Sequence, residues 1–185
     1  EKYLDERPSV TSVGIAISMY MGLRIGEVCA LQWKEIDLEK RVLTVSKTIQ
    51  RVQCRTGSKQ TKLIITEPKS ESSKRTIPIP DCLLPLLRRF KDNGEVYVVS
   101  GRKKPVEPRT MQYRFAKILH NADLPSFHYH SLRHLFATRC VELGFDVKTL
   151  SEILGHSSVE VTLNRYIHSD MERKRTCMSL LSKCA

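Results

Sequence analysis

The sequence predicts an α+β domain, mainly α-helical with a small three-stranded antiparallel sheet. Three observations carry this expectation. Apolar residues recur at helical spacing in long segments of the second half, above all 108–120, 131–143 and 147–154. RVLTVSKTI (41–49) alternates and is rich in β-branched residues, and two further extended stretches follow at 61–66 and 74–79. Finally, the 185 residues contain neither internal repeats nor low-complexity tracts, and that length suits one domain with a real hydrophobic core.

The elements follow in order. SVTSVGIAISMYM (9–21) suits a buried helix with a Ser or Thr cap. Gly22 interrupts it, a second helix runs from Ile25 to Gln32, and Trp33 through Asp37 forms the loop leaving it. Strand 41–49 comes next, then the strands at 61–66 and 74–79 on either side of the polar turn EPKSESS, a hairpin with its tip at Lys69. In CLLPLLRRF, Pro85 falls in the first helical turn, where its missing N–H does little harm. EVYVVS (95–100) is a short extended piece. Asp123–Pro125 and Gly144 separate the helices at 108–120, 131–143 and 147–154, and a last helix covers 170–182.

The formal net charge of +11 favours a polyanionic partner, most simply nucleic acid. The basic residues are spread through the chain, which predicts a folded basic face and not a disordered arm. An anionic membrane surface would attract the same charge, but no segment reads as a basic amphipathic helix with an aromatic edge. No apolar run approaches the ~20 residues of a membrane helix. No signal peptide is visible and the chain opens abruptly at Glu1, as an excised fragment would. Cysteines 29, 54, 82, 140, 177 and 184 form no CxxC pair, so they read as reduced thiols of a cytosolic protein and argue against structural zinc.

The chemistry-bearing residues lie in two regions. His130 and Arg133, in HSLRH, fall on one helix face about a turn apart and can grip one phosphate; a solvent-facing basic patch has the same spacing. In EILGH, Gly155 ends a helix in the left-handed conformation, so His156 projects from a sharp corner; a structural histidine fits equally. Tyr166 stands among Asn164, Arg165 and His168, and alone it reads as packing. A phenol of pKa about 10 attacks only with a base or a strong positive field. Far upstream, Arg24 in GLRIGE has Glu27 three residues on, either as its orienting partner or as a plain structural bridge. Lys69 at the turn tip is the first candidate to protonate a departing 5′-oxygen, and Lys74 is its rival. His128, His130 and His134 form HxHxxxH, but apart from Cys140 they lack the company of a metal site. Two arginines, two histidines and a tyrosine are what cutting a phosphodiester through a covalent tyrosine needs.

GLRIGEVCALQW, PKSESSKRTIPIP, HSLRHLFAT and LSEILGHSSVEVTLNRYIH, in that order, resemble the catalytic domain of the tyrosine recombinases or phage integrases, in particular those of conjugative transposons and Gram-positive phages. The resemblance spans about residues 9 to 170. It implies the tyrosine recombinase catalytic-domain fold over 1–185 and a catalytic set of Arg24, Glu27, Lys69, His130, Arg133, His156 and Tyr166, with no cofactor and no metal. His130 is followed by Ser-Leu where many relatives have Asp-Leu or Thr-Leu.

The resemblance also implies roles. Arg24 and Arg133 would clamp the scissile phosphate, His156 would hydrogen-bond to it, and Tyr166 would form a 3′-phosphotyrosine. His130 would serve as base, Lys69 as acid, and Glu27 would position Arg24. It further implies double-stranded DNA at recombination sites as partner, a homo-tetramer on that DNA, accessory excision or host DNA-bending factors, and a cytoplasmic, nucleoid-associated location in a bacterial host. Core-binding and arm-binding domains of the family, N-terminal to this one, are not within this chain. The helix at 170–183 would dock on a neighbouring protomer through Met178, Leu180 and Leu181, or pack at home. Rival readings are a type IB topoisomerase-like strand transferase, a DNA-binding protein that does not cut, and a metal-dependent nuclease.

Overall fold

A computed structural model describes residues 2–53, 61–67 and 73–166, together with Met171, Lys174, Arg175, Met178 and Ser179. Eight helices and five short strands are present among them: α1 (Lys2–Glu6), α2 (Val10–Met21), α3 (Ile25–Ala30), β1 (Ile36–Asp37), β2 (Val42–Val45), β3 (Thr48–Gln53), β4 (Thr61–Thr66), β5 (Arg75–Pro78), α4 (Leu84–Phe90), α5 (Pro108–Asn121), α6 (His130–Glu142), α7 (Val147–Leu154) and α8 (Val159–Tyr166). No helix among the described residues is long and apolar enough to cross a membrane.

α2 is the axis of the core. Ser9 caps it, accepting from the Ser12 N–H at 3.1 Å, and Gly22 closes it in the left-handed region at φ 68°. Nearly every side chain between is buried, so the helix is enclosed on all sides as an all-round apolar helix must be. Its most deeply buried polar side chain is matched: Ser18 Oγ and Tyr129 Oη lie 2.8 Å apart, and Tyr129 donates onward to the Gly14 carbonyl at 3.1 Å. Phe115 of α5 meets the Tyr129 and Phe127 rings edge-on, fastening the start of α6 to this core. A second, smaller apolar cluster (Ala137, Cys140, Val141, Leu150 and Leu154) joins α6 to α7, with Phe136 and Tyr166 packed on it.

The mixed fold is as expected, but the sheet is wired differently. Strand 41–49 is two strands, β2 and β3, that part company at Ser46–Lys47. The three-stranded antiparallel sheet has the order β1-β2-β5, with Leu43 opposite Ile77. β4 pairs with β3 in a separate two-stranded ribbon, not with β5. The expected hairpin between 61–66 and 74–79 is therefore absent as a ladder, and its tip, Lys69, lies outside the described residues. Alternation sets which face a strand presents and not which neighbour it pairs with; β5 joins β2 because Ile77 and Leu43 share the core face.

Trp33–Asp37 is not a plain loop: Trp33–Glu35 forms a 3₁₀ turn and Ile36–Asp37 is edge strand β1. Residues 95–100 make only isolated bridges through Tyr97. α1 and α8 were not expected from the sequence. Of the helix expected at 170–182, Met171, Lys174, Arg175, Met178 and Ser179 are described and are helical; its other residues lie outside the described residues.

Candidate active site

The site is organised around the C-terminal end of α7. The last carbonyls of any helix lack intrahelical partners and carry the negative end of its dipole. Here three consecutive ones each receive an arginine. Arg75 Nε donates to Ile153 O at 2.6 Å, Arg133 Nη2 to Leu154 O at 2.7 Å, and Arg24 Nη2 to Gly155 O at 3.1 Å. Gly155 makes the turn at φ 64°. A Cβ there would stand 2.8 Å from Arg75 Nη1, so glycine answers both the conformation and the space.

Arg24 caps α3. Its backbone N–H donates to Glu27 Oε2 and its Nη1 to Glu27 Oε1, both at 2.9 Å. Glu27 is 4% exposed and takes a second fork from Arg75, Nη1 to Oε1 at 3.1 Å and Nη2 to Oε2 at 2.9 Å. Burial pushes the Glu27 carboxyl up, but Arg75 and then Arg24 overcome it and hold the group below its ordinary value. Arg133 is 2% exposed and has no carboxylate partner among the described residues; its second bond is Nη1 to Gly22 O at 2.8 Å. Burial first, then the charge of Arg24, lowers its pKa to about 9, which leaves it protonated at neutral pH. The buried cation is only partly compensated by carbonyls, an arrangement that favours an anion nearby.

The aromatic members form a chain of rings. His130 and His134, one turn apart on α6, meet edge-on at 4.7 Å between centroids. His134 meets Tyr166 at 5.6 Å, and Tyr166 lies parallel to His156 with planes 2° apart and centroids at 6.4 Å. His156 Nδ1 is 2.8 Å from the fully buried Thr162 Oγ1, which fixes its ring. Burial, then Arg133 and Arg24, lowers the His156 pKa to about 4. Burial is also the leading cause that lowers His130 and His134, with His134 and Arg133 adding to it at His130 and Arg165 and Arg133 at His134. All three imidazoles are thus neutral near pH 7 and able to accept a proton or a hydrogen bond. Tyr166 Oη is buried and has no hydrogen-bond partner among the described residues.

Of the residues singled out in the sequence, Arg24, Glu27, Arg133, His156 and Tyr166 thus converge, and His130 stands at the N-terminus of α6 with His134 between it and the phenol. Lys69 lies outside the described residues; Lys74, its rival, is ion-paired with Glu67. Sequence reasoning missed Arg75, Thr162 and the place of His134. The signals were present: period two puts Arg75 on the same strand face as buried Ile77, and period 3.6 puts His134 over His130.

The phage integrase family model matches residues 6–173, and the chain belongs to that family. A XerC-like tyrosine recombinase of Caldanaerobacter subterraneus subsp. tengcongensis is 33% identical over 180 residues, 87% of this chain and 46% of the relative. The ICEBs1 integrase of Bacillus subtilis is 28% identical over 165 residues, 82% of this chain and 43% of that one. The chain spans about half the length of the curated relatives it matches. Among solved structures, the Tn1549 transposon integrase in complex with transposon right end DNA matches with a TM-score of 0.78 at 28% identity, over 98% of this chain and 63% of that one. XerA recombinase, 21% identical with a TM-score of 0.68, shares the fold.

Proposed function

We propose that this chain is the strand-cleaving and rejoining domain of a site-specific DNA recombinase that integrates or excises a mobile element or prophage. The carrying observation is electrostatic. Arg24, Arg75 and Arg133 meet a single carboxylate, Glu27, at the end of α7, and the neighbouring imidazoles are neutral. Two positive charges are left in excess. A phosphodiester brings one negative charge and its pentavalent transition state two, so the excess matches the charge that develops during reaction and not the ground state.

In this reading Arg24 and Arg133 hold the non-bridging oxygens and His156 adds a hydrogen bond. Tyr166 Oη attacks phosphorus, forming a 3′-phosphotyrosine as the bond to the 5′-oxygen breaks. His130 is the base for the phenol proton, with His134 lying between the two rings, and Lys69 supplies a proton to the leaving oxygen. Glu27 positions Arg24. Rejoining reverses these steps, and because the phosphotyrosine conserves the bond energy it needs no nucleotide triphosphate. Recognition of duplex recombination sites, assembly of four protomers and any accessory DNA-bending factors belong to the whole recombinase; the Tn1549 integrase complex with transposon DNA and the charge of +11 support a DNA partner. The cytoplasm of a bacterial host is the compartment such a role requires.

The test is a nicked suicide substrate carrying the element's ends. The chain is expected to form a covalent protein–DNA adduct, and Tyr166→Phe none. An adduct that persists in Tyr166→Phe refutes the assignment.

A further inference from the structure

We propose that Arg75 is a positioning residue of this site, holding Arg24 and His156 in their cleaving geometry through Glu27 and the end of α7; the inference rests on the strand-cleavage reading above. Four hydrogen bonds surround its guanidinium: Ile153 O at 2.6 Å, Ser73 O at 3.1 Å, and the Glu27 carboxylate oxygens at 3.1 and 2.9 Å. The side chain is only 6% exposed, against 38% for Arg24. Arg75 is thus enclosed by protein, while Arg24 keeps an accessible flank.

The shape of this junction argues for a positioning task beyond simple pairing. A carboxylate offers about four lone-pair sites. At Glu27 all are taken, two by Arg24 and two by Arg75. Glu27 therefore transmits any displacement of Arg75 to Arg24. The bond to Ile153 O fixes the helix end from which Gly155 and His156 depart, and Arg75 occupies the space a Cβ at 155 would need. Its bond to Ser73 O holds the residues at the start of β5. One planar fork thereby joins three parts of the site. Lysine, a point charge, cannot make the paired bonds.

The experiment is a double-mutant cycle on single-turnover adduct formation with the suicide substrate. Arg75→Lys preserves charge and is expected to bind DNA as the wild type does, yet to form adduct about 100-fold more slowly, the cost of a displacement on the order of 1 Å. In an Arg24→Ala background, Arg75→Lys is expected to add a smaller loss than it causes in the wild type, because its route through Arg24 is gone and only that through the end of α7 remains. Additive losses, or a wild-type rate in Arg75→Lys, overturn the proposal. To separate positioning from folding, the pair Glu27→Leu with Arg75→Leu replaces a buried ion pair by apolar side chains, a change that often leaves stability intact. That folded variant is expected to remain slow; recovery of the wild-type rate overturns the proposal. If the wild-type chain itself gives no adduct, the strand-cleavage reading fails and this inference with it. If it does and Arg75→Lys equals it, this inference alone fails.

Discussion

Arg133 reaches from α6 to the last residue of α7, donating to the Leu154 carbonyl at 2.7 Å, while its other terminal nitrogen holds the Gly22 carbonyl at 2.8 Å behind α2. One side chain thus ends two helices at once. The carbonyls are partners it keeps without a ligand, so the guanidinium is oriented before any anion of the proposed function arrives. Preorganisation of this kind lets a cation act on a developing charge without a reorganisation cost.

Arg133→Lys follows from that relationship. A single ammonium cannot serve both carbonyls in their present positions, and one buried acceptor loses its donor. We expect a loss of about 1–3 kcal/mol in urea unfolding, and an adduct rate at least ten-fold lower under conditions where the variant is fully folded. Unchanged stability would mean that the two carbonyls find other donors.

Tyr166→Phe has a second consequence. The phenol oxygen is buried without a partner among the described residues, so removing it deletes a desolvated polar atom and none of their hydrogen bonds. The variant that abolishes adduct is therefore expected to melt at the wild-type temperature or slightly above it. A drop of several degrees by calorimetry would show that the hydroxyl is tied into the fold.

Thr162→Val tests the orientation of His156. Valine fills the same buried space but cannot bond to Nδ1. The imidazole then loses its fixed ring angle beside Tyr166. We expect about 1 kcal/mol of stability to be lost and adduct formation to slow roughly ten-fold, with Thr162→Ser restoring most of the rate. A wild-type rate in Thr162→Val would show that packing alone orients the ring.

The depressed histidines set the pH response. His156 takes a proton only near pH 4 in the folded chain, against 6.5 ordinarily, because burial, Arg133 and Arg24 oppose it. Between those values the unfolded chain binds more protons, so stability rises with pH across that window and falls as the pH is lowered through it. Glu27, held below its ordinary 4.5, acts in the same direction at the acid end of that window. Urea midpoints are expected to fall as pH drops below 6.5, and His156→Asn is expected to flatten part of that slope. For catalysis, the acid limb of adduct formation at subsaturating DNA belongs below the ordinary histidine value, since His130 too is lowered. An acid limb above 6.5 would contradict the neutral-imidazole site.

Much of this was legible in order and spacing. The caps Ser9 and Gly22, the turn at Gly155 and the Arg24–Glu27 contact are local, and local chemistry is written within a few residues of where it acts. The helices at 108–120, 131–143 and 147–154 followed from periodicity, to within one residue at each end. α8 was not legible, because its Val159, Val161 and Leu163 are exposed and mark no buried stripe. Nor was the pairing of β5 with β2, which depends on a shared core face between strands far apart in the chain.

Composition and order set which residues were available: a cationic chain, a tyrosine in polar company, two arginines and two histidines at telling positions, and the glycine that lets His156 turn outward. Tertiary structure alone decided that Arg24, Arg75 and Arg133 should meet at three successive carbonyls, and that Tyr166 should lie between His134 and His156. The reason is physical. A helix end leaves carbonyls unpaired whatever its sequence, but which donors satisfy them depends on how distant segments pack, and no local pattern records that distance.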